Sequence, residues 1–107
     1  MGARVAGFEV DTRHWIAGRR IESAERFHSI SPVDETVIAD ISAGGPAEID
    51  QAVEAAAAGF ETWKRTSREE RAQLLHRIAD IIESRVETLA QVETRDNGSL
   101  LRSHRRG

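Results

Sequence analysis

Four histidines are the residues best suited to metal binding or proton transfer, and they stand at positions 14, 28, 76 and 104. No two of them are three or four residues apart, and no H-E-x-x-H pattern surrounds them, so the spacing of a helical zinc site is missing. His14 and His28 could meet on neighbouring strands, but both are also ordinary surface strand residues. The histidines alone therefore do not predict a metal site.

Nucleophiles and paired carboxylates give no stronger signal. The chain has no cysteine, and no serine lies in a G-x-S-x-G turn. Carboxylates at helical spacing alternate with arginines, which favours solvated ion pairs over general acid–base catalysis. These residues are Glu69, Glu70, Glu83 and Glu87, with Arg71, Arg77 and Arg85. Gly44-Gly45 before a helix could hold an anion, but acids in the first helical turn would repel phosphate. The residues themselves predict no active site.

Composition limits the class of protein. The 107 residues suffice for one small domain, with 39% hydrophobic and 31% charged residues and a net charge of −3. The absence of cysteine suits a reducing cytoplasm, and no apolar run is long enough for a signal peptide or a transmembrane span. We therefore expect a soluble, cytoplasmic protein that binds neither membrane nor nucleic acid. The basic residues near the end lack interleaved aromatics and are better explained as a solvated terminus: Arg102, His104, Arg105 and Arg106.

The first half of the chain predicts short strands. Residues 1–12 show no periodicity and are expected to form a flexible leader. Strands are predicted at 14–16, 26–31 and 36–41, the last being rich in β-branched residues. Turns are predicted at Gly18 and around Pro32. These elements suggest a meander of three strands.

The second half predicts two helices that pack together. Pro46 is a favoured first helical residue, and an apolar stripe follows it as far as Trp63. A second helix is predicted from Ser67 to Gly98, opening with an S-x-x-E capping box and closing at Asn97-Gly98. At 1.5 Å per residue this helix would be roughly 45 Å long, more than a domain of this size can cover. The chain is therefore expected to belong to something larger.

The order of these features resembles the N-terminal segment of the NAD(P)-dependent aldehyde dehydrogenase superfamily over residues 13 to about 100. The segments that carry the resemblance are, in order, H-W-I-A-G-R-R-I, F-H-S-I-S-P-V-D-E-T-V-I-A-D-I, E-I-D-Q-A-V-E-A-A-A-A-G-F-E-T-W, S-R-E-E-R-A-Q-L-L-H-R-I-A-D-I-I and V-E-T-R-D-N-G. They are most similar to semialdehyde dehydrogenases of aromatic catabolism, such as the 5-carboxymethyl-2-hydroxymuconate type. Ala17 and Ser31 stand where the family usually has Asn, and the A-T-G-E turn is replaced by Val33-Asp34-Glu35-Thr36.

The resemblance implies an α/β fold, the N-terminal part of a Rossmann-like coenzyme-binding domain, incomplete on its own. Residues 1–12 would be the leader and 13–107 part of the dehydrogenase domain. The complete enzyme would oxidise an aldehyde to a carboxylic acid with NAD or NADP, through a cysteine nucleophile and a general-base glutamate, and would form a homo-oligomer. Neither catalytic residue has a counterpart here. The isolated chain is therefore expected to be inactive and to bind no cofactor.

The resemblance also implies one binding site. Members of the family often bind a structural monovalent cation through backbone oxygens of the strand before the N-P turn and the acid of D-x-G. The matching residues are Ser29, Ile30 and Asp96, and a further ligand from outside these residues would be needed. A different class of function stays open: a free-standing interaction module that docks a partner through the apolar face of residues 67–97.

Overall fold

The computed structural model describes residues 2–101. Its first half consists of three separate antiparallel hairpins. These hairpins pair β1 (Gly2–Val5) with β2 (Phe8–Asp11), β3 (His14–Ile16) with β4 (Arg19–Ile21), and β5 (Arg26–Ile30) with β6 (Val37–Ser42). The strands at 14–16, 26–31 and 36–41 are thus confirmed within a residue or two. Their arrangement as a single meander is wrong, because β3 pairs with β4 and not with β5.

The first hairpin corrects the prediction of a leader over residues 1–12. β1 and β2 pair from Gly2 opposite Asp11 to Val5 opposite Phe8, and β1 lies against β6. The connecting residues Ala6 and Gly7 both have positive φ, at 51° and 83°. Two such residues form the tight type I′ turn that joins twisted strands. The strands were missed because they are only four residues long and Ala is not a typical residue of this turn.

The second hairpin uses the same turn at Ala17 and Gly18, with φ of 54° and 75°. The third hairpin has a longer loop, which Ser31 closes. Its N–H donates to Thr36 O at 2.8 Å, its carbonyl accepts from Glu35 N–H, and the residue is fully buried. The pairing shifts register between Ser29 and Ile30, so β5 bends where it enters this loop.

Three helices follow: α1 (Pro46–Trp63), α2 (Arg68–Ser84) and α3 (Val86–Asn97). The predicted start of α1 at Pro46 is confirmed, with Gly45 as N-cap. The capping box that opens α2 is also confirmed, since Ser67 Oγ accepts from Glu70 N–H at 3.1 Å and Glu70 Oε2 accepts from Ser67 N–H at 3.3 Å. Gly98 ends α3 with φ of 77°, the left-handed end predicted for Asn97-Gly98.

The prediction of a single long helix from 67 to 98 is wrong, because the helix is interrupted at Arg85. This residue has φ of −116° and ψ of 16°, and its N–H donates to Ile82 O, one residue short of the α-helical partner. Ser84 Oγ donates to Ile81 O at 2.7 Å, and such bonds bend helices by competing with the regular ladder. The apolar stripe continues across the break, which is why periodicity did not reveal it.

Burial is concentrated between the hairpins and α3. Among residues 2–101 the buried apolar side chains are Val5, Ile16, Ala39 and Ala90. α1 and α2 contribute no buried residue to the described structure, so the prediction of two helices packed against each other is wrong. The radius of gyration is 16.8 Å, whereas a compact domain of this length has about 13 Å. The fold lacks a core large enough to cover its own helices.

Candidate functional site

A groove of about 620 Å³ lies between the hairpins and α3. Its walls are mostly apolar, and Asp11, Arg13, Ser29, Glu93 and Asp96 supply polar groups. This volume is in the range of small-molecule sites. The groove lies where the first and third hairpins face α3.

Two of the three predicted cation ligands meet at this groove. Ser29, in β5, donates its hydroxyl to Asp96 Oδ1 at 2.7 Å, and Asp96 lies in the last turn of α3. Ile30 follows Ser29 at the end of β5, and its side chain is 47% exposed. An isoleucine side chain carries no oxygen, so the main-chain carbonyl of Ile30 would have to supply the ligand. The structure therefore brings Ser29 and Asp96 into contact, and Ile30 is the residue that follows Ser29 in β5.

Further contacts hold α3 against the loop between β5 and β6. Arg95 Nη2 donates to Thr36 Oγ1 at 3.2 Å, and Arg95 Nη1 lies 4.0 Å from Asp34 Oδ1. Gly98 packs so closely that a Cβ there would lie 2.9 Å from Pro32 Cγ. The role of Arg95 was not predicted, because a contact over 59 residues has no local signature.

Asp11 and Arg13 form a second polar cluster at the groove. Arg13 Nη2 and Nε donate to the two carboxylate oxygens of Asp11, at 2.7 and 3.1 Å, and Arg13 N–H also donates to Asp11 Oδ1. These hydrogen bonds hold the pKa of Asp11 well below its ordinary value. Arg20 lies 3.7 Å from the same carboxylate and stacks over Trp15. The ion pair between Asp11 of β2 and Arg20 of β4 links the first two hairpins at the surface.

Asp34 is also held in its ionised form. Thr36 Oγ1 donates to Asp34 Oδ1 at 2.7 Å and Thr36 N–H donates to the same oxygen at 3.1 Å. These bonds, with Arg95 nearby, lower the pKa of Asp34. These contacts lie in the loop that faces the end of α3.

The histidines are dispersed. His14 Nε2 lies 3.3 Å from Ser23 Oγ, but this hydroxyl donates to Glu25 O at 3.0 Å and is not an activated nucleophile. His28 pairs with Asp40 across the third hairpin. In residues 2–101 no group of three His, Cys, Asp or Glu side chains converges to hold a metal ion. His104 and the basic residues Arg102, Arg105 and Arg106 lie outside the described residues.

The glycine pair before α1 does not form an anion site. The N–H of Gly45 donates to Glu48 Oε2 at 3.1 Å, so the helix's own carboxylate occupies the position a phosphate would take. No helix within residues 2–101 is long and apolar enough to span a membrane. The described arrangement can bind and position groups, but Ser23, the hydroxyl beside His14, donates to Glu25 O and is not activated.

Short strands followed by helices, with this set of motifs, define part of an α/β domain, and the family model for the aldehyde dehydrogenase family matches residues 19–106. The chain belongs to the aldehyde dehydrogenase family. It is 39% identical over 85 residues to 5-carboxymethyl-2-hydroxymuconate semialdehyde dehydrogenase of Escherichia coli, covering 79% of this chain and 18% of that protein. It is 37% identical over 91 residues to 2-hydroxymuconic semialdehyde dehydrogenase of Pseudomonas sp. CF600, covering 82% and 19%.

The structure gives the same result. The crystal structure of betaine aldehyde dehydrogenase from Staphylococcus aureus in complex with NAD+ matches with a TM-score of 0.85 and 32% identity, over 90% of this chain and 20% of that one. These likenesses confirm the predicted fold class, part of an aldehyde dehydrogenase coenzyme-binding domain. The chain spans about a fifth of the length of the relatives it matches.

Proposed function

We propose that this chain supplies the N-terminal part of an NAD(P)-dependent aldehyde dehydrogenase that oxidises a semialdehyde to a carboxylic acid. The observation that carries the proposal is that sequence and fold agree over the same residues, with 39% identity to a semialdehyde dehydrogenase and a TM-score of 0.85 to a betaine aldehyde dehydrogenase. The semialdehyde substrate is supported by the names of both curated relatives above.

The chain's own part in this function is structural. None of its residues is a cysteine, so the nucleophile that the resemblance implies would lie outside residues 1–107. The N-terminus of α1 does not fit a dinucleotide phosphate, since Glu48 Oε2 already accepts from Gly45 N–H. We therefore expect the isolated 107-residue chain to bind neither NAD nor NADP and to be inactive. Homo-oligomer formation and a cytoplasmic location stay predictions.

A chimera tests the proposal. In the E. coli enzyme, the segment matched by this chain is replaced by residues of this chain, and oxidation of 5-carboxymethyl-2-hydroxymuconate semialdehyde is followed by NADH absorbance. An active chimera with kcat within about tenfold of the parent supports the proposal, because each tenfold corresponds to only about 1.4 kcal/mol. A chimera that folds and binds NAD but has no activity would contradict it.

We also propose that Ser29, Ile30 and Asp96 contribute oxygen ligands to a monovalent cation. The support is the 2.7 Å contact between Ser29 Oγ and Asp96 Oδ1, which brings hydroxyl and carboxylate oxygens to one point. Oxygen ligands are those that hard cations prefer. Thermal unfolding of the active chimera in potassium chloride should occur at a higher temperature than in tetramethylammonium chloride of equal concentration. The Asp96→Asn variant should lose that difference, and an equal difference in both proteins would exclude the site.

The alternative function is a free-standing helical interaction module docking through the apolar face of residues 67–97. One observation favours it: Leu75, Ile78 and Ile82 of α2 are 62%, 45% and 53% exposed. Such a module would form a discrete folded species with this face covered by dimerisation. An active chimera would decide against it.

A further inference from the structure

The last turn of α3 contacts the third hairpin through two successive residues. Asp96 Oδ1 accepts from Ser29 Oγ at 2.7 Å, close to the point where β5 enters the loop between β5 and β6. Arg95 Nη2 donates to Thr36 Oγ1 at 3.2 Å, where the chain leaves that loop and β6 begins. One helical turn is therefore attached to both ends of the same loop, although only the Asp96 contact belongs to the cation site proposed above.

Thr36 and Asp34 hold the guanidinium of Arg95. The Thr36 hydroxyl donates to Asp34 Oδ1 at 2.7 Å, which leaves its oxygen lone pairs to accept from Arg95. Arg95 Nη1 also lies 4.0 Å from the same Asp34 oxygen, and the Arg95 side chain is 35% exposed. Hydrogen bonds from a charged donor are stronger than those between neutral groups. We call these three side chains the Arg95 clamp.

The Arg95 clamp is connected to the strand half of the cation site through the backbone of Thr36. The carbonyl of Thr36 accepts from the N–H of Ser31 at 2.8 Å, and Ser31 is fully buried. This N–H belongs to the same peptide group as the Ile30 carbonyl, and a peptide group is planar, so the bond also fixes the direction of that carbonyl. The Arg95 clamp therefore links Asp96, on the helix, to the main-chain oxygen that Ile30 would offer a cation.

We propose that Arg95 is a positioning residue for the monovalent cation site, because its contact with Thr36 holds the Asp96 carboxylate against Ser29. The inference rests on the proposed cation site and goes beyond it, since a guanidinium cannot itself bind a cation. Its charge alone would act in the opposite direction. Like charges repel, so a guanidinium on the neighbouring residue weakens cation binding at Asp96. Removal of Arg95 therefore strengthens cation binding if only its charge matters, and weakens it if Arg95 positions the ligands.

The first experiment measures potassium binding by the chimera described above. Its unfolding temperature is followed against potassium chloride concentration, with tetramethylammonium chloride keeping the ionic strength constant. An ion that binds the folded state raises the unfolding temperature, so the potassium concentration at which the rise begins reports the affinity. Arg95→Leu and Thr36→Val should each raise this concentration by about tenfold or more, the usual loss when a residue that orients a metal ligand is removed.

Two further variants are the controls of this experiment. Thr36→Ser keeps the hydroxyl that accepts from Arg95, so it should retain the potassium affinity of the parent. Arg77→Leu removes an arginine from an exposed position of α2 and should change the affinity less than about twofold.

A second experiment uses the 107-residue chain without a bound cation. The coupling between Ser29 and Asp96 is measured by urea unfolding of Ser29→Ala, Asp96→Asn and the double variant, and the cycle is repeated in the Arg95→Leu background. If Arg95 positions Asp96, the coupling should disappear in that background and persist in the Arg77→Leu background. A purely structural contribution of Arg95 would lower the stability of all four proteins equally and leave the coupling intact.

The outcomes separate the inference from the proposed cation site. If Asp96→Asn leaves the potassium effect unchanged, the proposed site is wrong and the inference fails with it. If Asp96→Asn abolishes the effect but Arg95→Leu leaves the potassium affinity unchanged or raises it, the site stands and the inference is overturned. Coupling that persists in the Arg95→Leu background also overturns the inference. An inactive chimera contradicts the dehydrogenase function alone, because neither experiment measures activity.

Discussion

Ser29 Oγ and Asp96 Oδ1 lie 2.7 Å apart although 67 residues separate them in the chain. This hydrogen bond ties the end of a strand to the last turn of α3, beside the contact of Arg95 with Thr36 and the close packing of Gly98 on Pro32. The third hairpin and the end of α3 are therefore joined by three contacts.

The bond between Ser29 and Asp96 should show as a coupling in a double-mutant cycle. Ser29→Ala and Asp96→Asn should each destabilise the chain, and the double variant should lose less than their sum by about 0.5–1 kcal/mol, the range for a partly exposed polar pair. Urea unfolding followed by circular dichroism measures the three free energies. Strictly additive losses would mean that the two side chains do not interact in solution.

Gly98 should not tolerate a methyl group. Its φ is 77° and a Cβ would meet Pro32 Cγ at 2.9 Å, so Gly98→Ala should destabilise the chain by more than about 1 kcal/mol. Gly59→Ala is the matched control, because Gly59 lies within α1 and a Cβ there would meet nothing within 4 Å. This second change should stabilise α1 by about 0.5–1 kcal/mol. If urea unfolding shows that both substitutions change the free energy of unfolding in the same direction, the steric explanation for Gly98 is wrong.

Ala17 is an unusual residue for its turn. It has φ of 54° and is exposed, and Asn-Gly is the preferred pair for a two-residue hairpin of this type. We expect Ala17→Asn to raise stability by about 0.5–1 kcal/mol, because Asn adopts positive φ with less strain than Ala. The same change at Ala57, inside α1, should lower stability because Asn is a poorer helix former than Ala. Thermal unfolding of both variants gives the comparison, and a lower unfolding temperature for Ala17→Asn would refute it.

The capping box of α2 predicts a position-specific effect of serine. Ser67→Ala removes the acceptor for Glu70 N–H and should cost about 1 kcal/mol of stability. Ser84→Ala removes instead a bond that competes with the helical ladder, so we expect no loss of helical content. Far-ultraviolet circular dichroism during urea unfolding distinguishes the two. A similar loss for both substitutions would show that the cap does not stabilise α2.

The lowered pKa values of Asp11 and Asp34 predict a pH dependence. A carboxyl whose pKa is lower in the folded chain than the ordinary value of 3.8 stabilises the fold above that value, and the contribution is lost as the pH falls through the folded-state pKa. The unfolding temperature should therefore fall as the pH is lowered below about 4. Asp11→Asn should flatten this profile, as should Arg13→Ala, which removes the donors. Profiles identical to that of the unchanged chain would exclude the Asp11 contribution.

Local features of this protein were readable from its residues. The capping box at Ser67 and Glu70, the start of α1 at Pro46 and the left-handed end at Gly98 were all predicted and are all confirmed. Each depends on contacts within four residues, so the local sequence contains the whole cause. The family was also readable, because five ordered motifs survive as sequence.

Tertiary structure decided the rest. The apolar periodicity continues through Arg85, yet the helix is interrupted there. Periodicity did not predict the interruption, because it shows which side of a helix is apolar and not where the helix bends. β1 pairs with β2 and β3 with β4 through turns at Ala6 and Ala17, and these Ala residues give no local signal of the turn. The meeting of Ser29 with Asp96 and of Arg95 with Thr36 arises only when α3 lies against the third hairpin. Long-range contacts of this kind depend on the shape of the whole fold, which no short window of sequence contains.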